Sequence, residues 1–205
     1  MNELLRWGVP GLILAGPLHL LLGCCGMAPF WAVSLVAALP LGCVLHQSVR
    51  WRFEARDNGF RSPQRAALDV IIERGNLGRR PDRGDLAYQV YETVFYQRPE
   101  WQAIRDHAHR CHDHRFLNQS TALACALGTL LSLLALGTRP GAALLYLLAL
   151  PVAGFILGAK SRQTFEALEL FDRALVLSHW PLYEAALQTI TGTGPTVGAD
   201  RTQSS

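Results

Sequence analysis

Apolar residues fill the chain in long charge-free runs, and those runs predict its elements. Forty-three residues, 7–49, carry no Asp, Glu, Lys or Arg; 116–138 adds twenty-three more and 140–159 another twenty. A helix rises about 1.5 Å per residue, so roughly 20 apolar residues cross a hydrocarbon core of about 30 Å. The first run predicts two spans, Trp7 to Cys25 and Phe30 to Gln47, joined by the turn Gly26-Met27-Ala28-Pro29. The second and third runs predict one span each. The expected fold class is all-α and integral to a membrane, with four transmembrane helices as two hairpins and a small cytoplasmic helical bundle.

Between and after the spans the periodicity changes. From Asp85, a candidate N-cap, Tyr88, Tyr91 and Phe95 recur at helical spacing, and Pro99 breaks the segment. Glu100 to Arg115 predicts a second helix running straight into the third span. Past the fourth span, Phe165, Leu168, Phe171 and Leu175 mark an amphipathic helix ended by Pro181. These apolar faces can bury only against one another, which predicts a bundle of 85–116 with 161–190. The chain thus divides into hairpin 1 (1–47), an Arg-rich insertion (48–116), hairpin 2 (117–160), amphipathic helices (161–190) and a disordered tail (191–205).

Charge sets the orientation. The 48–116 segment holds thirteen Arg against ten acids, Lys160 and Arg162 follow the fourth span, and the 138–140 turn holds only Arg139. The positive-inside rule then puts both termini and the insertion in the cytoplasm of a bacterial inner membrane. Leu21-Leu22-Gly23-Cys24 has the look of a lipoprotein processing site, but Glu3 offsets Arg6 and a second span follows at once, so no cleavage is expected. A net charge of +3 announces no nucleic acid. Five cysteines without a CxxC spacing argue against a disulfide framework and a zinc ribbon.

Candidate chemistry lies in three places. Asn118, Thr121, Cys125, Thr129 and Ser132 recur at steps of three and four along the third span, within a window of about 80° on a helical wheel. Such a stripe either packs helices closely or lines a hydrated path, and the second reading makes these the pore-lining residues. Arg79, Arg80 and Arg83, in the loop Arg74–Gly84, are candidate ligands for phosphates or acidic headgroups, although a solvated loop would read the same. His107-Ala-His109-Arg-Cys-His112-Asp-His114 invites comparison with di-iron membrane enzymes. That chemistry needs roughly six to eight converging ligands. Here His107 and His114 flank one side of a stripe formed by Trp101, Ile104, Ala108 and Cys111, and His109 and His112 flank the other. The expected metal is none, with His109 and His112, joined by His179 or Glu166, as the alternative site.

His19 sits near mid-membrane, where an ionisable side chain is a functional hypothesis, and His46 lies near the cytoplasmic edge. No phosphate-binding glycine loop, nucleophile elbow or HExxH is present, so no catalytic residue and no cofactor are predicted.

The layout of spans over 7–47 and 117–160 around a cytoplasmic insertion, with Tyr91-Glu-Thr-Val-Phe95 and Arg98-Pro-Glu-Trp101 ahead of the third span, resembles one known class. It is similar to the four-transmembrane effectors of nucleotidyltransferase-associated bacterial antiphage defence systems. The resemblance implies a homo-oligomer in the lipid bilayer that permeabilises it. It also implies a nucleotide or oligonucleotide ligand and a cytosolic nucleotidyltransferase-type partner. Two alternatives stand beside it: a membrane metalloenzyme using the His107–His114 cluster, and a non-enzymatic scaffold recruiting a cytosolic partner.

Overall fold

The structure, a computed structural model, describes residues 3–25, 31–56 and 64–192. All regular structure among them is helical: α1 Glu3–Cys24, α2 Trp31–Arg56, α3 Arg65–Arg74, α4 Arg83–Gln97, α5 Gln102–Ala135, α6 Pro140–Ser178 and α7 Trp180–Thr191, with a 3₁₀ turn at Pro99–Trp101. Three helices are long and apolar enough to cross a membrane, within Val33–Trp51, Pro99–Ala135 and Pro140–Ser178; the apolar helix Gly8–Cys24 is shorter. The turn expected at Gly26–Pro29 and the tail beyond Gly192 lie outside the described residues.

Several boundaries differ from expectation for local reasons. α3 was not predicted. α4 begins at Arg83 with Asp82 in the capping position, so Asp85 is no cap; it sits in the first turn, where the helix dipole favours a carboxylate. Tyr88 is exposed while Tyr91 and Phe95 are buried. α4 ends because Arg98, preceding Pro99, is extended at φ −92°, ψ 114°, as the proline ring requires. Pro181 does not end the helix after the fourth apolar run. That helix stops at Ser178, and Pro181 occupies the first turn of α7, where its missing N–H leaves no bond unmade.

Two compact units form, unit 1 within Met1–Arg61 and Asp106–Leu168, unit 2 within Ser62–Arg105 and Glu169–Ser205. α5 and α6 each contribute residues to both.

Unit 1 distributes polarity in reverse of a water-soluble bundle. Ser34, His46, Ser120, Thr121, Ser132 and Ser161 are buried, while Leu145, Leu148, Phe155 and Leu134 are at least 66% exposed. With hydrocarbon as solvent the outer face has no reason to be polar, and helices associate through small residues and hydrogen bonds. The contacts follow that rule. His19 Nδ1 meets Ser34 Oγ at 3.2 Å and its ring stacks on Trp31, tying α1 to α2. His46 Nδ1 meets Ser120 Oγ at 3.3 Å, tying α2 to α5. Ser161 Oγ donates to the Arg115 carbonyl at 3.3 Å, tying α6 to α5. Pro17 of α1 and Leu150 of α6 both fill the notch at Gly128 of α5.

α1 and α2 approach closely at Gly11, where an added side-chain carbon would stand 2.5 Å from the Ala38 carbonyl oxygen. Because the obstacle is backbone, Gly11→Val must push the helices apart, and overpacking of this kind costs about 1–3 kcal/mol. A lower melting midpoint in detergent is expected for Gly11→Val, with Gly141→Val as control, since nothing lies near Gly141. Equal melting of the two variants would contradict this packing.

Unit 2 has an ordinary apolar core. Ala67, Val70 and Ile71 of α3, Val90, Tyr91 and Phe95 of α4, Val176 from the end of α6, and Tyr183 and Leu187 of α7 form one buried cluster with Trp101. Tyr91 stacks on Phe95 at 5.2 Å and on Tyr183 at 6.4 Å, and Trp101 meets Phe95 edge-on at 6.2 Å. Arg105, 9% exposed, is spent locally. Its Nη1 donates to the carbonyls of Phe95 (2.8 Å) and Arg98 (2.7 Å), and its Nη2 to Gln102 Oε1 (2.8 Å). It satisfies carbonyls that the end of α4 leaves open.

Candidate functional site

The stripe on α5 lies mostly inside unit 1. Thr121, Cys125 and Ser132 are buried; Asn118 and Thr129 are half-buried. Two hydroxyls bond their own helix, Thr129 Oγ1 to the Cys125 carbonyl and Ser132 Oγ to the Gly128 carbonyl, each at 2.8 Å. Gly154 of α6 leaves room for the Cys125 side chain, where an added carbon would stand 3.1 Å from Cys125 Cβ. Thr121 Oγ1 is buried and has no hydrogen-bond partner among the described residues. Ser120, one residue off the stripe, carries the contact with His46. The sequence signal for that pair was a lone imidazole in a charge-free helix.

The histidine string opens outward. His107, His109 and His114 are exposed and His112 is half-buried. His107 Nε2 lies 3.6 Å from Cys111 Sγ, and His112 stacks on Phe116 at 6.5 Å. His179 is engaged elsewhere, its Nδ1 donating to the Leu175 carbonyl at 3.1 Å and its ring lying edge-on to Trp101. Among the described residues no three His, Cys, Asp or Glu side chains stand close enough to hold a metal ion.

The arginines of the loop separate into different roles. α3 closes with paired bonds, Leu77 N–H to the Ile72 carbonyl (3.0 Å) and Asn76 N–H to the Glu73 carbonyl (3.3 Å), while Asn76 is left-handed at φ 55°. This is a Schellman ending, with Asn76 in the place glycine usually takes. Leu77 is anchored in the core, so the chain leaves α3 in a fixed direction. Arg83 Nη1 then donates to the Gly78 carbonyl at 2.9 Å, bracing the loop. Arg79 sits beside Ile72, Glu73 and Gly78. Arg80 pairs with Asp82 at 3.3 Å and also lines a cleft of about 360 Å³ between this loop and α7.

That cleft brings together residues that carry no motif in the sequence. Arg74 enters from the last turn of α3, its guanidinium 5.8 Å from the Trp180 ring centroid. Trp180, Glu184, Gln188 and Thr191 form the opposite wall from one face of α7. Their spacing of four, four and three was legible once Pro181 is read as the start of a helix. The approach of α7 depends on Gly75, where an added side-chain carbon would meet Leu187 Cδ2 at 2.8 Å.

In the core below, Tyr91 Oη donates to Asp172 Oδ1 at 3.4 Å. Asp172 lies beyond the charge-free part of α6 and is 3% exposed. Burial pushes its carboxyl up to about 6, with the Tyr91 hydrogen bond pulling the other way. Tyr183 is fully buried, and its hydroxyl has no hydrogen-bond partner among the described residues.

No family model, no curated protein and no solved structure matches the chain.

Proposed function

We propose that the chain is an oligomeric effector of the bacterial inner membrane, a channel that permeabilises the bilayer when unit 2 receives a cytosolic signal. Four spans cross as two hairpins, with both termini and residues 48–116 cytoplasmic. The signal is a nucleotide or oligonucleotide made by a nucleotidyltransferase-type partner, as the resemblance implies, and the setting is antiphage defence.

The observation that carries the reading is the inside-out burial of unit 1. Hydroxyl and imidazole groups are gathered within a bundle whose outer face is leucine, valine and phenylalanine. Packing alone is served by small residues and satisfied hydroxyls. A buried threonine hydroxyl with no hydrogen-bond partner among the described residues, Thr121 Oγ1, suits a group that meets water when helices part. Because most of the stripe faces the chain's own helices, this arrangement is the closed one. Opening turns the stripe toward an axis shared with other copies, as cyclic assembly allows.

The test is induced expression with uptake of an impermeant dye, alongside crosslinking in the membrane. The wild type is expected to form one defined oligomer and to admit dye. Thr129→Leu is expected to assemble equally and leak several-fold less, because an apolar ring resists wetting. A strictly monomeric wild type, or unchanged leak in Thr129→Leu, would sink the channel.

A further inference from the structure

We infer that the cleft between the α3–α4 loop and α7 binds a small phosphorylated aromatic compound, its phosphate held by Arg74 and Arg80 and its ring placed against Trp180. The inference deepens the reading of unit 2 as the sensing part. It makes a claim about binding that stands apart from leak.

Size comes first. About 360 Å³ lies within the range of small-molecule sites, roughly 300–1,000 Å³, and is too little for a folded partner. Charge comes next. Two guanidiniums line the cleft against one carboxylate, Glu184, on the α7 wall. Arg74 has no carboxylate partner among the described residues; its recorded contact is the Trp180 ring. Among the described residues the Arg80 side chain pairs with the exposed Asp82 at 3.3 Å, a contact that an entering dianion can outcompete. A guanidinium fork matches phosphate oxygens in pairs. Glu184 repels an anion on its side, so the phosphate belongs at the loop wall.

Preorganisation is the third element. The residues between the two arginines are fixed by the left-handed Asn76, the buried Leu77 and the bond from Arg80 N–H to the Leu77 carbonyl at 2.9 Å. A rigid loop loses little freedom on binding. Trp180 supplies a flat apolar surface beside the charges, which favours a ligand with a ring over a bare anion. Gln188 offers a donor and an acceptor to ring substituents.

Calorimetry on the full chain in neutral detergent tests this, with phenyl phosphate as probe and inorganic phosphate and phenol as its separate halves. Phenyl phosphate is expected to bind at least about tenfold more tightly than either half. Arg80→Gln and Arg74→Gln are each expected to weaken it by about tenfold or more, as for loss of a charge-assisted hydrogen bond. Arg173→Gln, an exposed charge outside the cleft, should change nothing. Arg80→Lys keeps the charge without the fork and should fall between, which separates lost recognition from lost folding. Absence of binding overturns the proposal, as does equal affinity for inorganic phosphate or indifference to the arginine changes. Vesicles containing a phosphoinositide form a second arm. Arginine-dependent binding to those vesicles with none to phenyl phosphate would assign the arginines to a lipid headgroup and overturn the small-molecule site. Arginine-dependent phenyl phosphate binding in a chain that never leaks would keep this inference and remove the channel.

Discussion

Tyr183→Ala is expected to unfold unit 2, while Tyr183→Phe leaves its stability unchanged or raises it. The ring is fully buried between Tyr91 and Trp101, with centroids 6.4 Å away from each. Truncating a large aromatic in a core costs about 3–5 kcal/mol. That is a large share of the stability of a small domain, about 5–15 kcal/mol in all. The hydroxyl is a different matter. It is buried without a partner among the described residues, so the fold bears its desolvation, and removing it relieves about 1–3 kcal/mol at most. Tyr91 reverses the sign, because its hydroxyl is the donor recorded for the buried Asp172. Tyr91→Phe strands that carboxylate and should be destabilising. Limited proteolysis and thermal melting of the full-length variants in detergent will rank them. A protease-resistant Tyr183→Ala, or a Tyr183→Phe less stable than Tyr91→Phe, would refute this account of the core.

How much of this was legible in the sequence depends on the length of each signal. The charge-free runs were long signals, because twenty consecutive apolar residues are poorly solvated by water, and three of the four expected spans coincide with helices long and apolar enough to cross a membrane, the first being shorter. α3 is hard to see because it is short: Ala67, Leu68, Val70 and Ile71 make one i, i+3, i+4 cluster inside an Arg-rich segment, too brief to establish a sustained period. The fate of Pro181 turned on a convention, since proline reads equally as the end of one helix or the first turn of the next. Arg79, Arg80 and Arg83 stood out by charge, yet only Arg80 lines the cleft. Its companions Arg74 and Trp180 are far apart in sequence and meet only because α7 packs over Gly75. Asp172 shares the apolar face, four residues after Leu168 and three before Leu175, but its charge masks that position. In an amphipathic helix an aspartate is read as surface, and only the tertiary fold puts it under Tyr91.

Asp172→Asn is expected to abolish a loss of stability that the wild type shows as pH rises from about 4 to about 7. A carboxyl near 3.9 in the unfolded chain and about 6 in the fold holds its proton more tightly when folded. Between those values the folded state binds more protons than the unfolded, so stability falls with rising pH. The contribution is full below pH about 4, is lost as pH passes through 6, and is level above. At about 1.4 kcal/mol per tenfold change in affinity, the span is about 3 kcal/mol. The neighbouring phenols do not confuse this window. Burial pushes Tyr91, Tyr96 and Tyr183 upward, away from neutrality. Asparagine keeps an oxygen for the Tyr91 hydroxyl and adds an amide that must find its own partner, which offsets part of the gain. The clear signature is therefore the slope. Denaturant midpoints of wild type and Asp172→Asn should converge near pH 4 and separate in favour of the variant by pH 7. Histidine titrations elsewhere cancel in that difference. Parallel curves would mean that the Asp172 carboxylate is solvated and that the core under Tyr91 is open.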